Sequence, residues 1–144
     1  MSLFAIGDTH LSLSCDKPMD IFGGWDGYVE KLKENWQNVV NDEDTVVIPG
    51  DISWGMSLNS SLKDFEFIHN LKGKKLILKG NHDYWWSTKN KMDKFLLENG
   101  LTSIKIIHNN SVFTEGVNIC GTRGWIFEKG EAFDNKILAR EAGR

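Results

Sequence analysis

Short apolar runs alternate with stripes at helical spacing along the first hundred residues. Leu3-Phe4-Ala5-Ile6 is a run of the buried-strand type. Val29, Leu32, Trp36, Val39 and Val40 recur at helical spacing and predict a helix over about 28–41. Thr45-Val46-Val47-Ile48 is β-branched and reads as a second strand. Leu58, Leu62, Phe65, Ile68 and Leu71 predict a second helix, with Gly73 placed to end it. Leu76-Ile77-Leu78 is a third strand, and Met92, Phe95 and Leu96 mark a third helix ending near Asn99-Gly100. This βαβαβα order predicts an α/β fold, a parallel sheet covered by helices.

The texture changes after residue 102. Ile104-Lys105-Ile106-Ile107, Val112-Phe113 and Val117-Asn118-Ile119-Cys120 read as strands, with turns at Asn109-Asn110 and Glu115-Gly116. A last helix is expected from about Asp134, with Ile137 and Leu138 on its apolar face. No repeat or low-complexity linker divides the chain, and 144 residues suit one domain over 1–144. At 40% apolar and 26% charged, the composition is that of a globular protein with a core, not of a disordered chain. The net charge of −3 offers no global attraction for nucleic acid or an anionic membrane surface. No stretch approaches the roughly 18 apolar residues of a membrane span. The N-terminus lacks a basic region and a long apolar run, so a secretory signal is not expected. With two isolated cysteines, Cys15 and Cys120, both expected as reduced thiols, these features predict a soluble cytoplasmic protein.

Three polar clusters carry the chemistry, and each directly follows one of the first three strands. They are Gly7-Asp8-Thr9-His10, Gly50-Asp51 and Gly80-Asn81-His82-Asp83. Ligands of open α/β sheets bind beyond the carboxyl ends of the strands. Asp8 and Asp51 are 43 residues apart, and Asp51 and Asn81 are 30 apart, each enough for a βαβ crossover. Singly, each cluster is also what an ordinary turn or helix cap looks like. Together, in order and at crossover spacing, they predict one convergent site. If the backbone there is extended, Asp8 and His10 point to the same face and can share a cation. Asp51 has two carboxylate oxygens to bridge two cations, and Asn81 offers an amide oxygen. Oxygen and imidazole ligands without thiolate suit Mn²⁺, Fe, Zn²⁺ or Mg²⁺. A pair of such ions is a recurrent device for phosphate-ester hydrolysis, generating hydroxide at neutral pH and clamping the phosphoryl oxygens. His82, expected to point away from the ligands, would stabilise charge or protonate the leaving oxygen. Asp83 is expected to orient a histidine.

These motifs resemble the calcineurin-like metallophosphoesterase superfamily, whose pattern runs D-x-H, G-D, then G-N-H-D/E. The resemblance covers about residues 3–125. It implies that Asp8 and His10 hold a first metal, that Asp51 bridges two, that Asn81 holds the second, and that His82 contacts the phosphate. The implied fold is an α/β/β/α sandwich with the dimetal site at the sheet edges. The family's later lone-His and G-H-x-H motifs have no counterpart among the four histidines, His10, His69, His82 and His108. His69 reads as a helix-end residue and His108 as a turn residue. The fold is therefore expected to be incomplete at the C-terminus.

Trp54, Trp85 and Trp86 follow two of the motifs, where they either wall a substrate cleft or simply pack. Arg123 either grips a phosphate or lies on the surface. Lys72, Lys74, Lys75 and Lys79 form a basic run whose expected role is a solvated face. The function these features predict is a metal-dependent phosphoesterase acting on a phosphorylated small molecule or nucleotide. The alternative is a catalytically silent, truncated fragment with at most one metal. Its uncovered sheet surface would drive homo-oligomerisation.

Overall fold

A computed structural model of the chain describes residues 1–122 together with Ala139 and Gly143. Four of the expected strands form one parallel sheet. They are β1 (Leu3–Ala5), β2 (Thr45–Ile48), β3 (Lys74–Ile77) and β4 (Ile104–Ile106), in the order β1-β2-β3-β4. The register sets Phe4 beside Val46, Val46 beside Lys75, and Lys75 beside Ile104. Three helices connect them: α1 (Tyr28–Val39), α2 (Leu62–His69) and α3 (Lys89–Glu98).

Successive right-handed crossovers stepping in one direction put every helix on the same face of a sheet. The core reflects this. Val46, Ile48, Ile77, Ile104 and Ile106 pack with Trp36, Phe65, Ile68, Met92, Phe95 and Leu96. Thr45, one residue out of phase with Val46, instead meets Thr114 hydroxyl to hydroxyl at 2.9 Å. Thr114 belongs to a second, antiparallel sheet of two strands, β5 (Asn110–Thr114) and β6 (Val117–Gly121). The expected turn at Glu115-Gly116 joins them, both residues at positive φ (49° and 79°) as a tight two-residue hairpin requires. The expected α/β class is therefore what the chain adopts. The helix expected from Asp134, Ile137 and Leu138, and Arg123 with it, lie outside the described residues.

Three local expectations change. Val39 is exposed while Val40 is buried, because α1 ends at Val39 and Val40 turns inward. The second helix is shorter than its apolar stripe. A 3-10 turn at Asn59–Ser61 precedes it, and Leu71 is buried beyond its end. Lys75 is the largest departure: instead of facing solvent it is fully buried in β3. Its Nζ donates to the carbonyls of His69, Leu71 and Gly73 at 3.2, 2.5 and 2.8 Å. These belong to the end of α2 and the loop after it, where orphan carbonyls and the helix dipole favour a cation. Burial pushes the Lys75 ammonium down to about 8, so it keeps its proton at neutral pH.

Cys15 and Cys120 are both free. Among the described residues no helix is long and apolar enough to cross a membrane.

Candidate metal centre

The loops leaving β1 and β2 run side by side as an irregular continuation of the sheet. Asp8 N–H donates to Gly50 O (3.3 Å), His10 N–H to Asp51 O (2.9 Å), and Leu11 N–H to Ile52 O (2.9 Å). Within this ladder Asp8, His10 and Asp51 all adopt left-handed backbone, with φ of 56°, 43° and 51°. The extended geometry assumed for Asp8 and His10 is thus not what orients them. Left-handed conformations of residues bearing a Cβ are strained, and they cluster at functional sites. Two glycines allow the third loop to close on the second. A Cβ on Gly80 would collide with the backbone nitrogen and carboxylate of Asp51. One on Gly50, itself at φ 129°, would collide with the backbone of Gly80.

This packing brings His10, Asp51 and His82 together, with one ligand atom of each lying within 4.8 Å of the others. Asp51 Oδ2 is 2.9 Å from His82 Nδ1 and 3.9 Å from His10 Nε2. Asp51 Oδ1 accepts the His82 backbone N–H at 2.9 Å. Burial pushes the Asp51 carboxyl up. The His82 N–H, the His82 imidazole and the charges of His82 and His10 outweigh it and hold the group below its ordinary value. His82 does not point away from Asp51, as expected, but hydrogen-bonds to it. Its imidazole is nevertheless the accessible one, with 40% of its side chain exposed against 14% for His10 and 10% for Asp51. Asn81 is exposed and its amide nitrogen lies 3.1 Å from His82 Nδ1. Asp8 is exposed and is not one of the three clustered groups.

Asp83 does something other than orient a histidine. Fully buried, its carboxylate accepts the backbone N–H groups of Asp51 (2.9 Å), Ile52 (2.8 Å) and Gly80 (2.8 Å), and the Trp85 indole N–H (2.9 Å). Burial pushes its carboxyl up, against the pull of these four donors. A second buried acid, Asp64 of α2, accepts the Leu13 N–H (2.8 Å) and the Ser53 hydroxyl, joining the segments beyond the first two loops. Sequence reasoning missed Asp64. Its position four residues before Ile68, on the buried stripe of α2, was the available signal. Tyr28, at the start of α1, donates its hydroxyl to His10 O at 2.9 Å.

Aromatic rings surround the histidines. Trp54 stacks on His10 with centroids 5.0 Å apart and planes at 18°, and lies 5.3 Å from His82. Trp25 meets His10 edge-on at 6.1 Å. No periodic signal marked Trp25, which sits in a glycine-rich loop. Trp85 is not at the cleft; it is buried against Phe65 in the core. Trp86 lies between Trp85 and His108. His69 ends α2, with its Nδ1 2.8 Å from the Ser103 hydroxyl.

The donor set fits a divalent cation. It combines carboxylate oxygen and imidazole nitrogen with no thiolate, the preference of Mn²⁺, Fe, Zn²⁺ or Mg²⁺. Ligand atoms sharing one ion at about 2.0–2.2 Å lie at most about 4.4 Å apart. The 3.9 Å between Asp51 Oδ2 and His10 Nε2 falls inside that limit.

An uncharacterized protein of Methanocaldococcus jannaschii, MJ1445, is 33% identical over 86 residues, covering 56% of this chain and 46% of the relative. The chain thus spans about half the length of that relative. A crystal structure of a protein of unknown function from Aquifex aeolicus, AQ665, aligns with a TM-score of 0.49 at 20% identity. That alignment covers 82% of this chain and 58% of the other. The family described as calcineurin-like phosphoesterase matches residues 1–140, nearly the whole sequence. The chain belongs to the calcineurin-like phosphoesterase family.

Proposed function

We propose that the chain is a metal-dependent phosphoesterase that hydrolyses a phosphomonoester or phosphodiester of a small molecule or nucleotide. The observation that carries this reading is the meeting of His10, Asp51 and His82, from three strand-end loops, within 4.8 Å. Asp8, His10, Asp51 and Asn81 would hold two divalent ions, with Asp51 between them. Bound there, such ions supply Lewis acidity toward phosphoryl oxygens and lower the pKa of water. His82, the more exposed imidazole, would contact the phosphoryl group and hand a proton to the leaving oxygen. Its hydrogen bond from Nδ1 to Asp51 fixes the ring so that Nε2 can face the substrate. The left-handed loops hold these groups before any substrate arrives, so little reorganisation remains for the reaction. A cytoplasmic location completes the reading and is supported by the two free cysteines.

A second reading is a module that binds one ion without turnover. It is favoured by the single three-residue ligand cluster among the described residues. Chelator-treated protein assayed on p-nitrophenyl phosphate and its bis ester, before and after Mn²⁺, Fe²⁺, Zn²⁺ or Mg²⁺ is restored, separates the two. The phosphoesterase reading requires turnover that returns with metal. Metal binding with no turnover for any ion overturns it in favour of the second.

A further inference from the structure

Among the described aromatic residues around the histidines, Tyr84 is the most exposed. It is 51% exposed, and its ring stands edge-on to His82, with centroids 6.3 Å apart and planes at 77°. An exposed aromatic is ordinary on its own. What distinguishes this one is how it is held and what its neighbours are already doing. Its backbone N–H donates to His82 O at 2.9 Å, and it directly follows Asp83, which four N–H donors anchor. Tyr84 is therefore presented on a fixed loop beside the histidine that meets the leaving group.

The other described rings around the histidines each pack against neighbours. Trp54 carries His10 on its face, Lys17 Nζ 4.9 Å from its ring centroid, and Met19 Sδ on its indole N–H at 3.3 Å. Trp25 packs against Tyr28 and His10, and Trp86 against Trp85 and His108. Planar groups gain free energy by stacking on an exposed ring, largely independent of what heterocycle they are.

We infer that Tyr84 determines specificity, and that the substrate is a phosphoester whose esterified alcohol carries a planar aromatic ring, aryl or nucleoside. The ring stacks on Tyr84 while the ester oxygen lies toward His82. This inference rests on the phosphoesterase reading and names the substrate class of that site.

The test compares kcat/KM for phenyl phosphate, adenosine 5′-phosphate and butyl phosphate in wild type, Tyr84→Ala and Tyr84→Phe, all with Mn²⁺. Intrinsic leaving-group reactivity cancels when each aromatic-to-butyl ratio is compared between variants. Tyr84→Ala is expected to lower at least one ratio about 5- to 150-fold, the range that one lost stack implies. Tyr84→Phe, which keeps the ring, should hold both ratios within about twofold of wild type. Which ratio falls, phenyl or adenosine, identifies the source of the ring. Ratios unmoved in Tyr84→Ala, or lowered as much in Tyr84→Phe, overturn the inference. Equilibrium dialysis of adenosine 5′-phosphate and phenyl phosphate against butyl phosphate, with the same proteins, separates this from the wider reading. Without turnover, a binding preference that Tyr84→Ala erases keeps the stacking role and discards hydrolysis. Without turnover or such a preference, both fall.

Discussion

The carboxylate of Asp83 accepts the backbone N–H of Asp51 at 2.9 Å, across 32 residues of chain. Through that bond and those from Ile52 and Gly80, one buried acid stitches the loop after β3 to the loop after β2. The left-handed backbone of Asp51 is held from below by this stitch and from the side by His10 N–H on its carbonyl.

Asp83→Asn keeps the shape but offers one acceptor oxygen in place of two and turns an NH₂ toward backbone donors. Buried N–H groups left unpaired cost about 1–3 kcal/mol each. The variant should lose about 2–4 kcal/mol in urea denaturation with an unchanged m value, and bind Mn²⁺ more weakly. A change under about 0.5 kcal/mol would show that the stitch contributes nothing.

Gly80→Ala forces a methyl into the Asp51 amide and carboxylate, whereas Gly23 has open space around it. Overpacking against backbone destabilises by about 1–3 kcal/mol or more. Thermal melts should therefore show Gly80→Ala well below wild type and Gly23→Ala close to it. Equal melting temperatures for the two variants would contradict the close approach of the loops.

Lys75 makes stability depend on alkaline pH. Its folded value, about 8, lies below the ordinary 10.5 because it is buried. Between those values the unfolded chain binds more protons, so this residue's contribution to stability rises with pH across that window. The gain from pH 8 to pH 10 is about 2 kcal/mol. Denaturant titrations at the two pH values should show this rise in wild type and not in Lys75→Met. The same slope in both proteins would rule out a buried, shifted lysine.

Asp44 acts at the acid end. Backbone N–H groups of Asn41 and Ser2, the Asn41 amide and the N-terminal ammonium hold its carboxyl below the ordinary value, against the opposing pull of desolvation. A depressed folded value means stability that is present above the unfolded value, about 3.9, and is lost as pH falls through the folded one. Asp44→Asn should flatten that part of the acid unfolding curve. An acid limb identical to wild type would show that Asp44 is not linked to folding.

The strands and helices were legible because burial on one face of a sheet leaves its mark as apolar runs and helical stripes. The three site loops were legible because Gly-Asp and Gly-Asn-His-Asp follow those runs at crossover spacing. Lys75 was not, since its partners are backbone carbonyls, which leave no trace in side-chain identity, and lysine ordinarily means solvent. The same holds for Asp83, whose backbone partners include N–H groups more than thirty residues distant. The left-handed turns at Asp8, His10 and Asp51 suit residue types that tolerate this backbone, but what fixes them is the hydrogen bonding between two loops, which the sequence does not display. Trp25 lies outside any periodic segment, so only the folded chain reveals that it borders His10.

The most direct test of the metal-dependent site is Asp51→Asn, the least change that removes the shared carboxylate. Mn²⁺ binding by calorimetry and hydrolysis of p-nitrophenyl phosphate are measured on wild type and variant at matched folded fraction. The predicted result is binding and turnover in wild type, with at least about a 100-fold loss of turnover and weakened binding in Asp51→Asn. Wild-type binding and turnover in a folded Asp51→Asn would contradict it.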